Sequence, residues 1–197
     1  MTLRVEALTG GLLKHHLEDL ARLRIEVFRA YPYLYDGDVA YERRYLAAFA
    51  GSPDAAIIGA FDGDVVVGAA SCAPLKWQMR EITAPFAARG EDLQQYFYFG
   101  ESVLKSHYRG QGIGVRFFEL REAQARACGA EVAAFCAVVR PRDHKMRPSS
   151  YVPLDPFWLK RGYTPVADLL CELSWKEIGA QQESAKPMQF WAKRLMP

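Results

Sequence analysis

The stretch "YFGESVLKSHYRGQGIGVRFFEL", Tyr98 to Leu120, places three glycines in five positions between a strand-like run and a helix-like run. Glycine is costly inside a regular element. Arg109–Gly114 therefore reads as a turn that needs unusual backbone angles or a close approach to the main chain. The strand ends near Leu104 and the helix begins near Ile113. A helix N-terminus carries unpaired N–H groups and a partial positive charge. Glycines leave those groups open, and Arg109 adds a cation able to bind an anion through two bonds. Together they predict an anion site, most often one for phosphate. A bare strand-to-helix turn is the alternative, but such a turn needs one glycine, not three. A P-loop is excluded because Val115-Arg116 follow Gly114 where Lys-Ser/Thr is required. A dinucleotide fingerprint fails too: Val115 fills its third glycine slot, and Glu131 precedes the next strand instead of ending it.

Working outward, Leu3–Leu8 reads as a strand, broken by Gly10-Gly11. Leu13, Leu17, Leu20, Ala21 and Phe28 recur at helical spacing, and the helix must stop before Pro32. Tyr41, Tyr45 and Phe49 suggest a second short helix. Strands are expected over Ala55–Phe61 and Val65–Ala73, joined at Asp62-Gly63 by a hairpin turn of type I′. Lys76–Leu93 reads as irregular, Gln95–Leu104 as an aromatic-rich strand, and Ile113–Cys128 as a helix with Gly129 just past its end. Val132–Val139 is a buried strand by its continuous apolar run. A loop with three prolines covers Arg140–Asp155, a short helix Pro156–Arg161, and two further strands Leu169–Lys176 and Met188–Leu195. The predicted fold is α/β: a mixed, mostly antiparallel central sheet of about seven strands flanked by about four helices, in one domain over residues 1–197.

Composition is that of a globular chain: 197 residues, 50% hydrophobic, 24% charged, net charge +2. Near neutrality gives no argument for a nucleic-acid or membrane partner. Cys72, Cys128, Cys136 and Cys171 are scattered without metal-ligand spacing, so no metal is expected and all four are expected as reduced core residues. The N-terminus lacks the apolar core of a signal peptide, and the longest apolar run is far too short to span a bilayer. A cytoplasmic location is the expectation.

The turn Arg109-Gly110-Gln111-Gly112-Ile113-Gly114 resembles the pyrophosphate loop of the GNAT superfamily of acyl-CoA-dependent N-acetyltransferases, whose motif is Gln/Arg-x-x-Gly-x-Gly/Ala. Ser102-Val103-Leu104 is similar to the segment that splays from its neighbour and binds pantetheine through the backbone. Phe157-Trp158-Leu159-Lys160-Arg161-Gly162-Tyr163 resembles the late helix ending in a Gly-Phe pair, and the order of elements matches over nearly the whole chain. The resemblance implies acetyl-CoA as co-substrate, held by Ser102, Val103, Leu104, Arg109, Gly110, Gln111, Gly112, Ile113 and Gly114. It also implies direct attack of an amine on the thioester in a ternary complex.

That chemistry needs a base, an oxyanion donor and an acid. The resemblance points to a backbone N–H in Ser102–Leu104 as the donor, with that of Leu104 the candidate. Glu101, just before the pantetheine segment, is the candidate base, directly or through a water. A solvated or salt-bridged strand carboxylate is the plainer reading. The acid departs from the family pattern: the usual tyrosine position is Trp158, and indole cannot donate a proton to a thiolate. Tyr151, seven residues earlier, is the substitute candidate, unless it packs in its loop and water serves. His144 is a candidate for the acceptor site, whereas His107 lies in the turn. Tyr31, Tyr33 and Tyr35 beside Asp36 and Asp38 suit a cationic amine; of these, Tyr33 and Tyr35 are the candidate substrate contacts, and packing on the core is the alternative. A small-molecule amine is the expected partner. Acetylation of a protein lysine or N-terminus, a non-catalytic acyl-CoA sensor, and a nucleotide-binding module are the rivals. The C-terminal strand pair offers edges able to pair across the two-fold axis of a homodimer.

Overall fold

A computed structural model describes residues 3–8 and 10–195. The elements are β1 (Leu3–Leu8), α1 (Gly10–Phe28), α2 (Val39–Ala50), β2 (Ala56–Asp62), β3 (Val65–Pro74), α3 (Arg80–Ala88), β4 (Tyr96–Leu104), α4 (Ile113–Ala127), β5 (Val132–Val138), α5 (Asp155–Leu159), β6 (Thr164–Lys176) and β7 (Glu183–Arg194). The seven strands form one sheet in the order β1-β2-β3-β4-β5-β7-β6. Every neighbouring pair is antiparallel except β4 and β5. The expected mixed, mostly antiparallel sheet of seven strands is present, with five helices where about four were expected. Among the described residues no helix is long and apolar enough to cross a membrane.

Alternation along the strands sorts the core into two layers. On one face, α1 and α2 cover β2 and β3 through Leu20, Leu46, Ile57 and Val103. Further along that face α3 lays Ile82 and Phe86 on Tyr98, Cys136 and Phe190. On the other face α4 and α5 meet Phe97, Phe99, Phe135, Tyr163 and Trp191. Glu122 of α4 ties this layer to β7. It accepts from the Tyr163 hydroxyl at 3.0 Å and pairs with Lys193 at 2.7 Å.

Three expectations are corrected. Lys76–Leu93 holds α3 despite Pro85 inside it, because Ile82 and Phe86, one turn apart, have a core to fill. The β2–β3 turn has positive φ at Gly63 alone (59°), which suits a type II′ turn led by glycine, not type I′. Cys128 is exposed, since it caps the end of α4; Cys72, Cys136 and Cys171 are buried and free.

Candidate active site

The glycine turn divides its labour. Gly110 (φ 78°) and Gly112 (φ 82°) adopt left-handed angles, and a Cβ on either would meet open space. Conformation and room are both reserved there. Gly114 is different. A Cβ on it would stand 3.2 Å from Cζ of Phe157, so this glycine lets α5 close against the first turn of α4. Of the three glycines that the sequence reading put at the ligand, Gly110 and Gly112 border open space and Gly114 is closed over by Phe157.

Gly112 is the N-cap of α4 and supplies no side-chain cap, and the first turn has no acidic residue. The first i→i−4 bond runs from the Arg116 N–H to the Gly112 carbonyl at 3.0 Å. The N–H groups of Ile113, Gly114 and Val115 precede it and point outward from a positive helix end. Arg109 and Gln111 are exposed beside them, with the Gln111 amide donating to the His107 carbonyl at 3.2 Å.

Behind the turn the sheet opens. The parallel pairing of β4 with β5 spans only Tyr96–Tyr98 against Val132–Ala134. Beyond it the two strands part, and β4 keeps β3 alone as a neighbour. The Lys105 N–H donates to the Val67 carbonyl at 3.0 Å. Antiparallel alternation then turns the N–H and C=O of Leu104 and Ser102 away from β3, toward the gap. This is the edge on which the sequence reading put the pantetheine arm and the oxyanion donor.

A bulge sets what faces the gap. Ala70 opposes Ser102 while Cys72 opposes Phe99, so β4 carries one residue more than β3 in between. The extra residue reverses the alternation. Phe97 and Phe99 face α4, but beyond the bulge Glu101 and Val103 face α1 and α2. The Glu101 N–H donates to Ser71 Oγ at 3.2 Å. A Cβ on Gly100 would lie 2.5 Å from that same oxygen.

Glu101 is not a solitary carboxylate. It is 8% exposed, and its Oε1 lies 2.8 Å from Nη1 of Arg24. That contact is off the N–H axis, so it is electrostatic rather than an aligned hydrogen bond. Oε2 accepts from the Tyr45 hydroxyl at 3.4 Å. Arg24 also pairs through Nε with Glu42, which is 1% exposed. Burial opposes the charge of Arg24, yet Glu101, Tyr45 and Glu42 outweigh it and hold its pKa above the ordinary value. Its guanidinium lies over the Tyr45 ring at 4.5 Å. Arg24, Glu42 and Tyr45 were absent from the sequence-level site.

The expected acceptor residues fall into two groups. Tyr31 gathers His144 at 5.6 Å and Tyr151 at 4.7 Å between ring centroids, and Tyr33 packs on Phe28 at 4.7 Å. Arg140, at the end of β5, donates to the carbonyls of Pro32 and Tyr33 and pairs with Glu177. It clamps this loop onto the C-terminal hairpin. Tyr35 instead turns to Glu42, and burial together with that carboxylate raises its pKa. Burial also raises the phenols of Tyr33 (with Cys136 next), Tyr45 (with Glu101), Tyr98 (with Cys136) and Tyr151 (with Tyr31). All remain protonated at neutral pH. Asp36 is taken by Lys176 at 3.0 Å and Arg29 at 3.6 Å, and Asp38 caps α2 by accepting from the Tyr41 N–H at 2.8 Å. Neither acid is a free acceptor contact. Trp158 packs edge-on against Phe135 at 5.1 Å and Trp191 at 5.0 Å, a core role that tyrosine would fill less fully.

A family model, Acetyltransferase (GNAT) family, matches residues 17–148. The chain matches no curated protein sequence. Among solved structures, a Salmonella typhimurium protein with its cofactor acetyl-CoA is 12% identical, with a TM-score of 0.63 over 100% of this chain and 95% of that one. A ribosomal-protein-alanine N-acetyltransferase from Brucella melitensis is 14% identical, with a TM-score of 0.63 over 99% and 100%. Aminoglycoside 6′-acetyltransferase type Ii is 18% identical, with a TM-score of 0.59 over 100% and 99%. The structures share the fold; the sequence model reaches across the bare helix end, the opened strand pair and the bulge, and through it the chain belongs to the GNAT family of acetyltransferases.

Proposed function

We propose that the chain transfers the acetyl group of acetyl-CoA to a primary amine of a small molecule. One observation carries the reading: the bare N-terminus of α4, fronted by two left-handed glycines, opens onto the unpaired edge of β4. Backbone N–H groups of Ile113 and Gly114, with Arg109, would take the pyrophosphate. Ser102–Leu104 would pair with the pantetheine arm, leaving the thioester between β4 and β5.

The amine then attacks the thioester carbonyl carbon. Nitrogen–carbon bonding forms the tetrahedral oxyanion, which the Leu104 N–H stabilises. Glu101 takes the amine's proton through a water. Its burial beside Arg24 and Tyr45 favours that indirect route over direct contact. The carbon–sulfur bond breaks, and the CoA thiolate takes a proton from Tyr151, whose phenol is protonated at neutral pH before the transfer and regains a proton from solvent after it. The site is dressed for an amine with an apolar body by Tyr31, Tyr33 and Tyr151. A small acceptor is the reading because α3 and the 139–154 loop would wall the acceptor mouth, where a polypeptide would need an open groove.

The test is a panel of primary amines and N-terminal peptides with acetyl-CoA, read by release of free thiol. The proposal expects turnover on small amines, weak turnover on peptides, and a fall of about a hundredfold or more in kcat for Glu101→Gln. Turnover confined to peptides would reject the small-molecule acceptor. Full activity in Glu101→Gln would reject the base.

A further inference from the structure

We infer that Arg161 is a second cationic contact for a phosphate group of CoA, reached from the α5 side of the glycine turn; this rests on the acetyl-CoA site proposed above. Arg161 is a cation without a counter-ion. Among the described residues it has no salt bridge, and its Nε is buried without a hydrogen-bond partner. Burial alone bears on its guanidinium and lowers its pKa. The buried Nε cannot itself be completed from outside, but a partly desolvated cation with no acidic neighbour favours an anion at its open side.

The surroundings say which anion. The guanidinium lies flat on the ring of Phe157, 3.5 Å from its centre, and Nη1 donates to the Phe157 carbonyl at 2.7 Å. The edge of that same ring meets Gly114, in the first turn of α4. One aromatic ring therefore separates the unpaired cation from the bare N–H groups of the turn. The stack holds the side chain in place, and Gly114 is the residue that lets the ring approach. Replacing Gly114 would move the arginine as well as the helix. Nη1 is used on the Phe157 carbonyl and Nε is shut in against the chain, whereas Nη2 makes no hydrogen bond among the described residues and is not buried, so it is the guanidinium atom left for a phosphate oxygen.

Two phosphate sources exist within CoA, the pyrophosphate and the 3′-phosphate. Calorimetric titration of the wild type and of Arg161→Gln with acetyl-CoA and with acetyl-dephospho-CoA, at low and high salt, tests the inference. Arg161→Gln should bind acetyl-CoA about tenfold or more weakly at low salt, with a smaller deficit at high salt. Arg161→Lys should recover part of the loss. A deficit that persists with acetyl-dephospho-CoA assigns the contact to the pyrophosphate; one that vanishes assigns it to the 3′-phosphate. Equal affinity of wild type and Arg161→Gln, or a deficit unchanged by salt, would overturn the inference. A wild type that binds neither ligand contradicts the acetyl-CoA site itself.

Discussion

Arg24→Met removes the cation that, alone among the described residues, pairs with the two buried carboxylates, and its cost follows from the geometry. Glu42 and Glu101 are 1% and 8% exposed, and Arg24 touches both. At 2.8 Å and an effective dielectric constant of about 20, one such contact is worth about 6 kcal/mol before desolvation. Desolvation cancels much of that gain. Breaking a buried pair on one side nevertheless costs about 3–5 kcal/mol, because the surviving charge stays buried. With two carboxylates stranded, the upper part of that range applies, about 4–5 kcal/mol. For a chain of this size that is a fall in Tm of about 8–20 °C. Urea unfolding followed by circular dichroism measures it. Arg24→Met/Glu42→Gln/Glu101→Gln, which neutralises all three groups, should recover most of the loss. A cost below about 1 kcal/mol for Arg24→Met, or a triple variant no more stable than the single one, would refute the reasoning.

Two further outcomes follow from the same geometry. Gly114→Leu should displace α5, because a Cβ would already stand 3.2 Å from Phe157, and should cost about 1–3 kcal/mol with weakened acetyl-CoA binding. Thiol titration of the native protein with an aromatic disulfide should modify Cys128 quickly and the other three cysteines only on unfolding; rapid labelling of more than one thiol would contradict the burial of Cys72, Cys136 and Cys171.

The strands and the helices α1, α2 and α4 were legible because their signals are local. Apolar residues recur at period 2 or 3.6, and glycine punctuates the ends. Helix α3 was hidden by Pro85, whose missing N–H reads as a break although only one internal bond is lost. The bulge at Gly100–Glu101 has no local signature. It exists because Ser71, 30 positions away in the chain, bonds the Glu101 N–H. The ion cluster did leave a trace. Arg24 continues the stripe Leu17, Leu20, Ala21, Phe28, and Glu42 sits one turn before Tyr45 and Leu46 on the buried face of α2. A charge at an apolar position of each of two neighbouring helices predicts a buried pair, but not that Glu101 of β4 joins it. Tyr31, His144 and Tyr151 meet only because Arg140 fastens the first loop to the end of β5. The glycine motif was readable as an open turn before a helix, but only the fold separates Gly114 from its two neighbours.

The central claim is that the open turn before α4 holds the pyrophosphate of acetyl-CoA. The direct measurement is calorimetric titration with acetyl-CoA of the wild type, Gly112→Ala and Gly112→Glu. A side chain at Gly112 meets open space but adopts φ of 82°, so both variants carry a strain of about 1–2 kcal/mol. Alanine controls for that strain, and the glutamate adds a negative charge where the phosphate would sit. The account predicts binding by the wild type, near-wild-type or modestly weaker binding by Gly112→Ala, and loss of about a hundredfold or more in a folded Gly112→Glu. Absence of binding by the wild type, or equal affinity for Gly112→Ala and Gly112→Glu, would contradict it.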